Sequence, residues 1–333
     1  MLGDLGLLPG LPLSIPAGPN GFALSDTDRA LIRILQVDGR RSFAAIGREL
    51  GLPERSVRKR VNELVDSHVI HVTSVANPVA LGYQGSAMVG ISLDGRRPRK
   101  QVIEQLLQLP GVDYAIATTG RYDVLAEILC HDAGELIEVV DENVASAAGV
   151  RAVEIFPYLQ LHYQEPAWDV AQTKTDAASV QPRAVLDLTD RQVIAALSDD
   201  GRTPFSAVAE SLGVSESLVR KRVTRLVDSG TIRLTAIVNP RSLGFDIVAW
   251  LAIRPLPGRS VIALSEALST IPSITYIAVT GGRFDVLAEM VCHDTSDVLD
   301  KLESQIRVLD GIGEIELLIG RDLYYRSVEP IRR

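Results

Sequence analysis

The chain has 333 residues, a mass of 36.1 kDa and a formal net charge of −8. Charged residues make up 23% of it and apolar residues 46%, which excludes a disordered chain, and no apolar run approaches the ~18 residues of a membrane-spanning helix. Its two cysteines exclude a disulfide scaffold and favour a reducing compartment, so we predict a cytoplasmic protein with no membrane association.

The two ends of the chain are predicted to be tails. Residues 1–23 are apolar, but they contain neither Lys nor Arg and are broken by Pro and Gly. They therefore lack the charged start of a secretory signal, and we expect a flexible segment. Residues 327–333 are predicted as a second, shorter tail.

The chain contains an internal repeat with a constant offset of 162 residues. LGLPERSVRKRVNELVDS, from Leu50, matches LGVSESLVRKRVTRLVDS, from Leu212, at 12 of 18 positions. TTGRYDVLAEILCHD, from Thr118, matches TGGRFDVLAEMVCHD, from Thr280, at 11 of 15 positions. This period is too long for a solenoid, so we interpret the chain as two copies of one protomer. The polar residues 164–185 are predicted as a linker that lets the copies pair around a pseudo-twofold axis.

The first part of each copy, residues 24–78 and 186–240, has the period of helices. In the first copy Leu31 and Leu35 share one side of a helix, and Ser42 can cap a short second helix. A tight turn then leads to a third helix from about Glu54. Helix, short turn and helix, followed by a strand, predict a winged helix-turn-helix module in each copy.

The third helix of each copy contains an Arg-Lys-Arg run that we predict to contact DNA. At 100° per residue the apolar side chains form one stripe and the polar ones face away from it. A charge run alone is more often a solvated surface, but the helix-turn-helix context favours contacts to phosphates and base edges. The predicted DNA-contacting residues are Ser42, Arg55, Ser56, Arg58, Lys59, Arg60 and Asn62 in the first copy, and Ser217, Leu218, Arg220, Lys221, Arg222, Thr224 and Arg225 in the second.

The charge distribution supports this prediction. Residues 24–71 carry nine basic and seven acidic side chains, residues 186–233 carry seven of each, and the rest of the chain has a net charge of −10. Acidic side chains are thus concentrated away from the two predicted modules, as a DNA-facing surface requires.

The two modules differ at the ends of their third helices. Pro53 occupies the position of Ser215, an N-cap residue, and His68 occupies that of Gly230, which suits a left-handed C-cap. We expect the first module to be less stable or differently positioned. Because the outward residues differ as well, we predict that the chain recognises an operator with two unlike half-sites.

The second part of each copy, residues 79–163 and 241–326, mixes strand and helix periods. Ala87, Val89 and Ile91 alternate as in a half-buried strand, and Leu136 and Val140 have helical spacing. The order βαββαβ predicts a ferredoxin-like sandwich. The fold class is therefore α+β, with two winged helix-turn-helix modules alternating with two ferredoxin-like domains.

This domain order and a T-G-x-[YF]-D turn between the middle strands resemble the Lrp/AsnC family of transcriptional regulators, over residues 24–163 and 186–325. The resemblance implies that the α/β domain is a ligand-sensing (RAM) domain, which pairs through its sheets. It also implies that small effectors, commonly amino acids, bind between subunits near the turn. The effector-binding residues would be Thr119, Gly120, Arg121, Tyr122 and Asp123 in the first copy, and Gly281, Gly282, Arg283, Phe284 and Asp285 in the second.

The turn has side chains suited to such a ligand. An aspartate can receive an ammonium group, and the neighbouring Arg121 or Arg283 can bind a carboxylate, so an organic acid is also plausible. Alternatively, the turn only closes a hairpin. Gly281 stands where the motif has Thr, so the second turn matches the motif less closely. We predict a non-enzymatic regulator without cofactor or metal, which binds double-stranded DNA and a small effector as a homo-oligomer of two or four chains.

Two further groups of residues contain side chains that can bind metals or titrate. Cys130-His131-Asp132 and Cys292-His293-Asp294 contain metal-ligating types, but adjacent strand residues point to opposite sides, which favours a structural role. Glu127 and Glu289 lie in the middle of strands. They either line a subunit interface or the effector site, or face solvent.

The alternative function is enzymatic. Siroheme decarboxylases are built from similar units, and as a family they hold porphyrin carboxylates with Tyr, Arg and His in the strand-turn-strand region. Here TTGRYDVLAEI contains no His, and each third helix keeps its basic run. Both features favour a regulator over the enzyme, and the basic helices also disfavour a scaffold that only oligomerises.

Overall fold

The computed structural model describes residues 13–14, 24–76, 78–109, 111–164, 186–238 and 240–325. Apart from Leu13–Ser14 and Gln164, the predicted tails and linker lie outside these residues. No helix in the described ranges is long and apolar enough to cross a membrane.

The helix-turn-helix modules form as predicted. A capping box between Ser25 and Asp28 starts the first helix, and Leu31 and Leu35 are buried on its inner side. The elements of the first module are α1 (Asp26–Val37), α2 (Phe43–Leu50), α3 (Glu54–Asp66) and β2 (Ile70–Ala76), after a short strand β1 (Leu13–Ser14). Those of the second are α7 (Leu188–Asp199), α8 (Phe205–Leu212), α9 (Glu216–Asp228) and β7 (Ile232–Val238).

The strand after each third helix pairs with its counterpart in the other copy. β2 and β7 form an antiparallel two-stranded ribbon, hereafter the intercopy ribbon, in which Thr73 lies opposite Thr235. Helix α1 packs on β7 and helix α7 packs on β2. Each module therefore rests on a strand of the other copy, a partnership that the sequence pattern did not reveal.

Each α/β domain has the predicted strand and helix order. In the first copy it consists of α4 (Pro78–Leu81), β3 (Gly85–Leu93), α5 (Arg99–Leu106), β4 (Val112–Thr119), β5 (Val124–Cys130), α6 (Ala133–Glu138), a π-helix (Val139–Val144) and β6 (Val150–Gln164). In the second it consists of a 3₁₀ turn (Pro240–Leu243), β8 (Ile247–Pro255), α10 (Val261–Leu268), β9 (Ile274–Thr280), β10 (Val286–Cys292), α11 (Thr295–Lys301), a π-helix (Leu302–Ile306) and β11 (Ile312–Tyr325).

The two sheets close into one barrel. Their strand orders are β4-β5-β3-β6 and β9-β10-β8-β11, the ferredoxin-like order in each copy. Strand β6 pairs with β9 at the first junction between the copies, and β11 pairs with β4 at the second junction. Eight strands therefore form a closed ring with helices on its outside, and the barrel interior is shared by both copies.

The core follows this arrangement. Aromatic and aliphatic side chains of both copies fill the barrel interior, among them Phe156, Trp250 and Phe284. The other side of each sheet packs on its own helices in a separate cluster. Since the two halves share one interior, burial of apolar surface holds the copies together.

Candidate DNA-binding surface and effector site

The start of each third helix is set by the turn before it. Gly51 and Gly213 adopt left-handed conformations, with φ of 68° and 66°, and end the second helices. Ser215 Oγ then accepts a hydrogen bond from Leu218 N at 3.3 Å, whereas Pro53 makes no side-chain cap. The predicted difference between the two helix starts is confirmed.

The ends of these helices differ as well. His68 has a φ of 55°, the one positive value among the described non-glycine residues, and Gly230 has a φ of 65°. A left-handed backbone is strained for a residue with a Cβ. The first module therefore carries a local strain that glycine relieves in the second.

Most of the residues predicted to contact DNA are exposed. Ser42 is exposed and caps α2, because its Oγ accepts a hydrogen bond from Ala45 N at 3.2 Å. Leu218 is half-buried. The exposed residues of the third helices are Arg55, Ser56, Arg58, Lys59 and Asn62 in α3, and Ser217, Arg220, Lys221, Thr224 and Arg225 in α9.

Arg60, a predicted phosphate contact, forms an ion pair within its own module. Its guanidinium makes two hydrogen bonds to the buried carboxylate of Asp28, with Nε at 2.5 Å and a terminal nitrogen at 2.7 Å. Burial alone would raise the pKa of Asp28, but the hydrogen bonds from Arg60 and Ser25 outweigh it and lower that pKa to about 2. Arg60 therefore fixes α3 against α1.

The second copy repeats this contact with one more arginine. Arg222 lies 2.5 Å from an oxygen of Asp187 and 3.2 Å from one of Asp190, and Arg225 also contacts Asp190. Like Arg60, these arginines bind carboxylates at the start of the first helix, and their contact with DNA stays a prediction.

A reciprocal pair of arginines holds the two modules together. The terminal nitrogen of Arg40 donates hydrogen bonds to the carbonyls of Gly201 and Thr203, at 2.7 and 2.9 Å. Arg202 donates in the same way to Gly39 O at 2.6 Å. Each guanidinium also lies over a phenylalanine ring of the other module, 4.1 Å from Phe205 and 4.3 Å from Phe43. Together with the intercopy ribbon, these contacts fix the relative positions of α3 and α9.

The predicted effector residues lie at the two junctions of the barrel. Thr119 Oγ1 donates a hydrogen bond to Ile319 O across the second junction, at 3.2 Å. Gly281 N donates to Pro157 O across the first junction, at 2.9 Å. Gly120 and Gly282 have φ of 112° and 114°, values that L side chains rarely adopt. Both turns therefore lie between the copies, where the resemblance located the effector.

The arginine of each turn binds a glutamate of the other copy. Arg121 Nε lies 2.9 Å from both carboxylate oxygens of Glu316, and Arg283 Nε lies 3.1 Å from Glu154. Tyr122 adds a 2.5 Å hydrogen bond to Glu154, while its counterpart is the buried Phe284. Both arginines thus already have an anionic partner, which a carboxylate ligand would have to displace.

The two turn aspartates have different surroundings. Asp123 accepts a hydrogen bond from Leu93 N at 2.8 Å and one from Arg99 at 3.1 Å. At the corresponding positions the second copy has Pro255, which lacks an N–H, and Val261. Within the described residues the carboxylate of Asp285 makes no hydrogen bond or ion pair, although Asp285 is half-buried.

Glu127 and Glu289 lie inside the barrel, so the solvent-facing alternative is wrong. Tyr276 donates a hydrogen bond to Glu127 at 2.7 Å, and Tyr114 donates one to Glu289 at 3.0 Å. In each pair the tyrosine and the glutamate come from different copies. Burial raises the pKa of both carboxyls, that of Glu127 to about 7. Their strand positions follow from the sequence pattern, whereas the closed interior does not.

The cysteines of the two Cys-His-Asp segments lie in the core, and the aspartates lie at helix starts. Cys130 and Cys292 are buried beneath the helices of their own copies. Asp132 and Asp294 are the N-cap residues of α6 and α11. The described residues contain no group of three side chains able to hold a metal ion.

Two family models match the chain, each of them twice. The AsnC-type helix-turn-helix domain matches residues 24–65 and 186–227. The PF0864 C-terminal dimeric alpha+beta barrel domain matches residues 95–171 and 258–328. The repetition agrees with the two copies, and the second description agrees with the closed barrel.

Curated relatives and a solved structure extend this finding. An uncharacterized HTH-type transcriptional regulator of Pyrococcus abyssi is 37% identical over 132 residues, which cover 39% of this chain and 83% of the relative. The HTH-type transcriptional regulator LrpA of Pyrococcus horikoshii is 30% identical over 132 residues, 39% of this chain and 93% of that protein.

The crystal structure of the siroheme decarboxylase NirDL superposes with a TM-score of 0.62 at 15% identity, over 92% of this chain and 94% of that one, and so shares its fold. The matching domain models and the related regulators show to which family the chain belongs. The chain belongs to the Lrp/AsnC family of helix-turn-helix transcriptional regulators, and two family protomers are fused in it.

Proposed function

We propose that the chain binds one operator with two unlike half-sites, and that a small effector at the barrel junctions changes its affinity for that operator. The observation that carries the proposal is the fixed pair of third helices. The intercopy ribbon and the reciprocal Arg40 and Arg202 contacts hold α3 and α9 in one relative position. A fixed separation of two recognition helices is what a pair of operator half-sites requires.

Differences between the outward faces support unlike half-sites. Arg55 and Asn62 in α3 correspond to Ser217 and Thr224 in α9, and all four are exposed. Arginine pairs best with guanine and asparagine with adenine in the major groove, whereas serine and threonine discriminate less. We therefore expect the first half-site to be the more strictly defined one.

The experiment is selection of bound fragments from genomic DNA at physiological salt, followed by affinity measurements on the enriched site. An enriched asymmetric motif supports the proposal, and a perfect palindrome contradicts the unlike half-sites. Asn62→Ala should relax the sequence preference in one half-site only, with a loss of about 1–3 kcal/mol, and Thr224→Ala is its matched control in the other. Lys59→Ala should weaken binding to all sequences alike and reduce the salt dependence by about one ion.

We propose that the effector carries an amine which binds Asp285 at the second-copy turn. Asp285 is half-buried and without a partner in the described part of the chain, whereas Asp123 is occupied by Leu93 N and Arg99. The ammonium group of an amino acid would balance the negative charge of Asp285. Operator affinity should change when an amino acid is added, Asp285→Asn should abolish the change while leaving basal DNA binding intact, and Asp123→Asn should instead lower thermal stability.

The fold shared with NirDL raises the enzymatic alternative, and the charge of the interior disfavours it. A tetrapyrrole carries several carboxylates, which need basic partners. The barrel interior instead contains Glu127 and Glu289, and the turn arginines already bind glutamates. Titration with an iron-uroporphyrin III analogue, followed by absorbance, should give no saturable change, and saturable binding would favour the decarboxylase.

A further inference from the structure

The first-copy end of the barrel contains two neighbouring carboxyl groups. Strand β4 has a register shift between Val112 and Tyr114, and Asp113 lies at this bulge, next to Glu127 on β5. Asp113 Oδ1 is out of contact with solvent and has no hydrogen-bond partner. Burial, together with the charge of Glu127, raises the pKa of Asp113 well above its usual range.

No basic side chain balances these acids in the described part of the chain. The groups that face Glu127 are Tyr276 on β9, Tyr158 on β6 and the carboxyl of Glu289 on β10. None of the carboxyls of Asp113, Glu127 and Glu289 forms an ion pair with a described Lys, Arg or His. Buried carboxyls without cations either keep their protons or take up a positively charged ligand.

The equivalent position in the second copy lacks this feature. Thr275 replaces Asp113, and its hydroxyl donates a 2.8 Å hydrogen bond to Glu289. Trp250 replaces Met88, and its Nε1 donates to Tyr114 Oη, which in turn holds Glu289. Both carboxylate oxygens of Glu289 are therefore paired. Among the described residues of the two ends, the first-copy end is the one that combines an unpartnered carboxyl oxygen with a second carboxyl.

The aromatic walls define the kind of cation. Tyr158 and Tyr276 lie beside Glu127 with ring centroids 6.3 Å apart. Aromatic faces and carboxylates together bind organic ammonium groups. A metal ion usually needs more side-chain ligands, and no group of three candidate ligands occurs in the described residues.

We propose that the first-copy end of the barrel is a second ligand site, which binds a small organic ammonium compound between Asp113, Glu127, Tyr158 and Tyr276. This site uses other residues than the Asp285 turn and does not depend on DNA binding. Because Glu127 and Tyr276 belong to different copies, the ligand would contact both halves of the barrel.

The test uses the full chain and 1,4-diaminobutane at pH 8, with 1,4-butanediol as the uncharged control of similar length. Calorimetry should detect saturable binding of the diamine and none of the diol. Glu127→Gln and Asp113→Thr should each weaken binding at least about tenfold, since each removes a charged partner. Asp113→Thr introduces the residue that the second copy has at this position, so it is expected to fold.

Glu289→Gln at the paired end should weaken diamine binding less than Glu127→Gln does, because Glu289 is already hydrogen-bonded to Thr275 and Tyr114. Thermal unfolding of each variant verifies that it is folded. Absence of diamine binding in the folded parent would overturn the proposal and indicate that the carboxyls only hold protons. Equal binding by the parent and by both first-copy variants would overturn it too, because the diamine would then bind elsewhere.

Discussion

The DNA-binding modules and the barrel interior differ in how closely they follow the pseudo-twofold symmetry of the chain. Between the helix-turn-helix modules the contacts are reciprocal: Arg40 binds Gly201 O as Arg202 binds Gly39 O. Inside the barrel, equivalent positions carry side chains of different size and charge, as with Asp113 and Thr275. The framework of the DNA-binding part is thus symmetric, while the barrel interior has two unlike ends.

The barrel junctions show how the unlike ends fit together. At the second junction Gly320 leaves room for Ile116, since a Cβ on Gly320 would lie 2.3 Å from Ile116 Cδ1. At the first junction the corresponding residues are Tyr158 and Ala278. The size difference is thus reversed: the large residue is on β4 at the second junction and on β6 at the first. Pairing of two identical copies would bring Tyr158 against Ile116, so the copies are complementary rather than interchangeable.

The largest effect is expected when Trp250, at the second-copy end of the barrel, is replaced. Trp250→Met should cost about 2–3 kcal/mol in the free energy of unfolding, because it leaves a void and removes the donor to Tyr114. Met88→Leu at the equivalent position should cost less than about 1.5 kcal/mol. Denaturant unfolding measures both. Equal costs would mean that the two ends are energetically alike.

The symmetric part should respond symmetrically. A Cβ on Gly39 would lie 2.9 Å from Thr235 N, and one on Gly201 would lie 3.0 Å from the backbone of Thr73. Gly39→Ala and Gly201→Ala should each cost about 2 kcal/mol, because backbone on the intercopy ribbon must move. Gly281→Ala, which makes only an ordinary contact, is the control and should change stability by less than about 0.5 kcal/mol. Very unequal costs would contradict the symmetry of the modules.

Complementarity at the second junction predicts energetic coupling. Gly320→Ala should cost about 1–2 kcal/mol, since the new methyl group displaces Ile116. Ile116→Ala removes the obstacle, and the double variant should be more stable than the sum of the single costs by about 1 kcal/mol. A double-mutant cycle by thermal or chemical unfolding measures this term. Strict additivity would show that Gly320 is not needed for the fit.

Stability should also depend on pH. In the folded chain the pKa of Glu127 is raised from 4.5 to about 7, so its contribution to stability is largest below the unfolded pKa and is lost as pH rises to about 7. The raised pKa values of Asp113 and Glu289 act in the same direction. The Tm should therefore fall by about 3–6 °C between pH 5 and pH 8, and Glu127→Gln should reduce this slope. A Tm that rises over this range would contradict the buried, protonated carboxyl.

Much of this architecture is predictable from the sequence because it is local. Helical periodicity, the Ser215 cap and the βαββαβ order are all encoded within a few residues. The ion pair of Arg60 cannot be predicted in this way, because its partner Asp28 lies 32 residues away in the sequence. Only the tertiary packing shows that Asp28 is buried. The mid-strand position of Glu127 likewise fits an outer surface or an inner one until the sheets close.

The candidate effector site also has one part that the sequence predicts and one part that it does not. The T-G-x-[YF]-D resemblance selected both turns, and the sequence favoured the first because Gly281 departs from the motif. The partners of Asp123 come from Leu93 and Arg99, which lie 30 and 24 residues away. Their loss at Pro255 and Val261 becomes meaningful only when these positions are seen beside the turn.

Because the barrel closes within one chain, dilution should affect this protein less than it affects a dimer of separate subunits. A dimer of separate subunits dissociates as its concentration falls, and its occupancy of an operator then falls with the square of subunit concentration. Here both recognition helices belong to one polypeptide whose halves meet across two β-sheet junctions. The pair of recognition helices would therefore persist at concentrations at which a dimer of separate subunits dissociates.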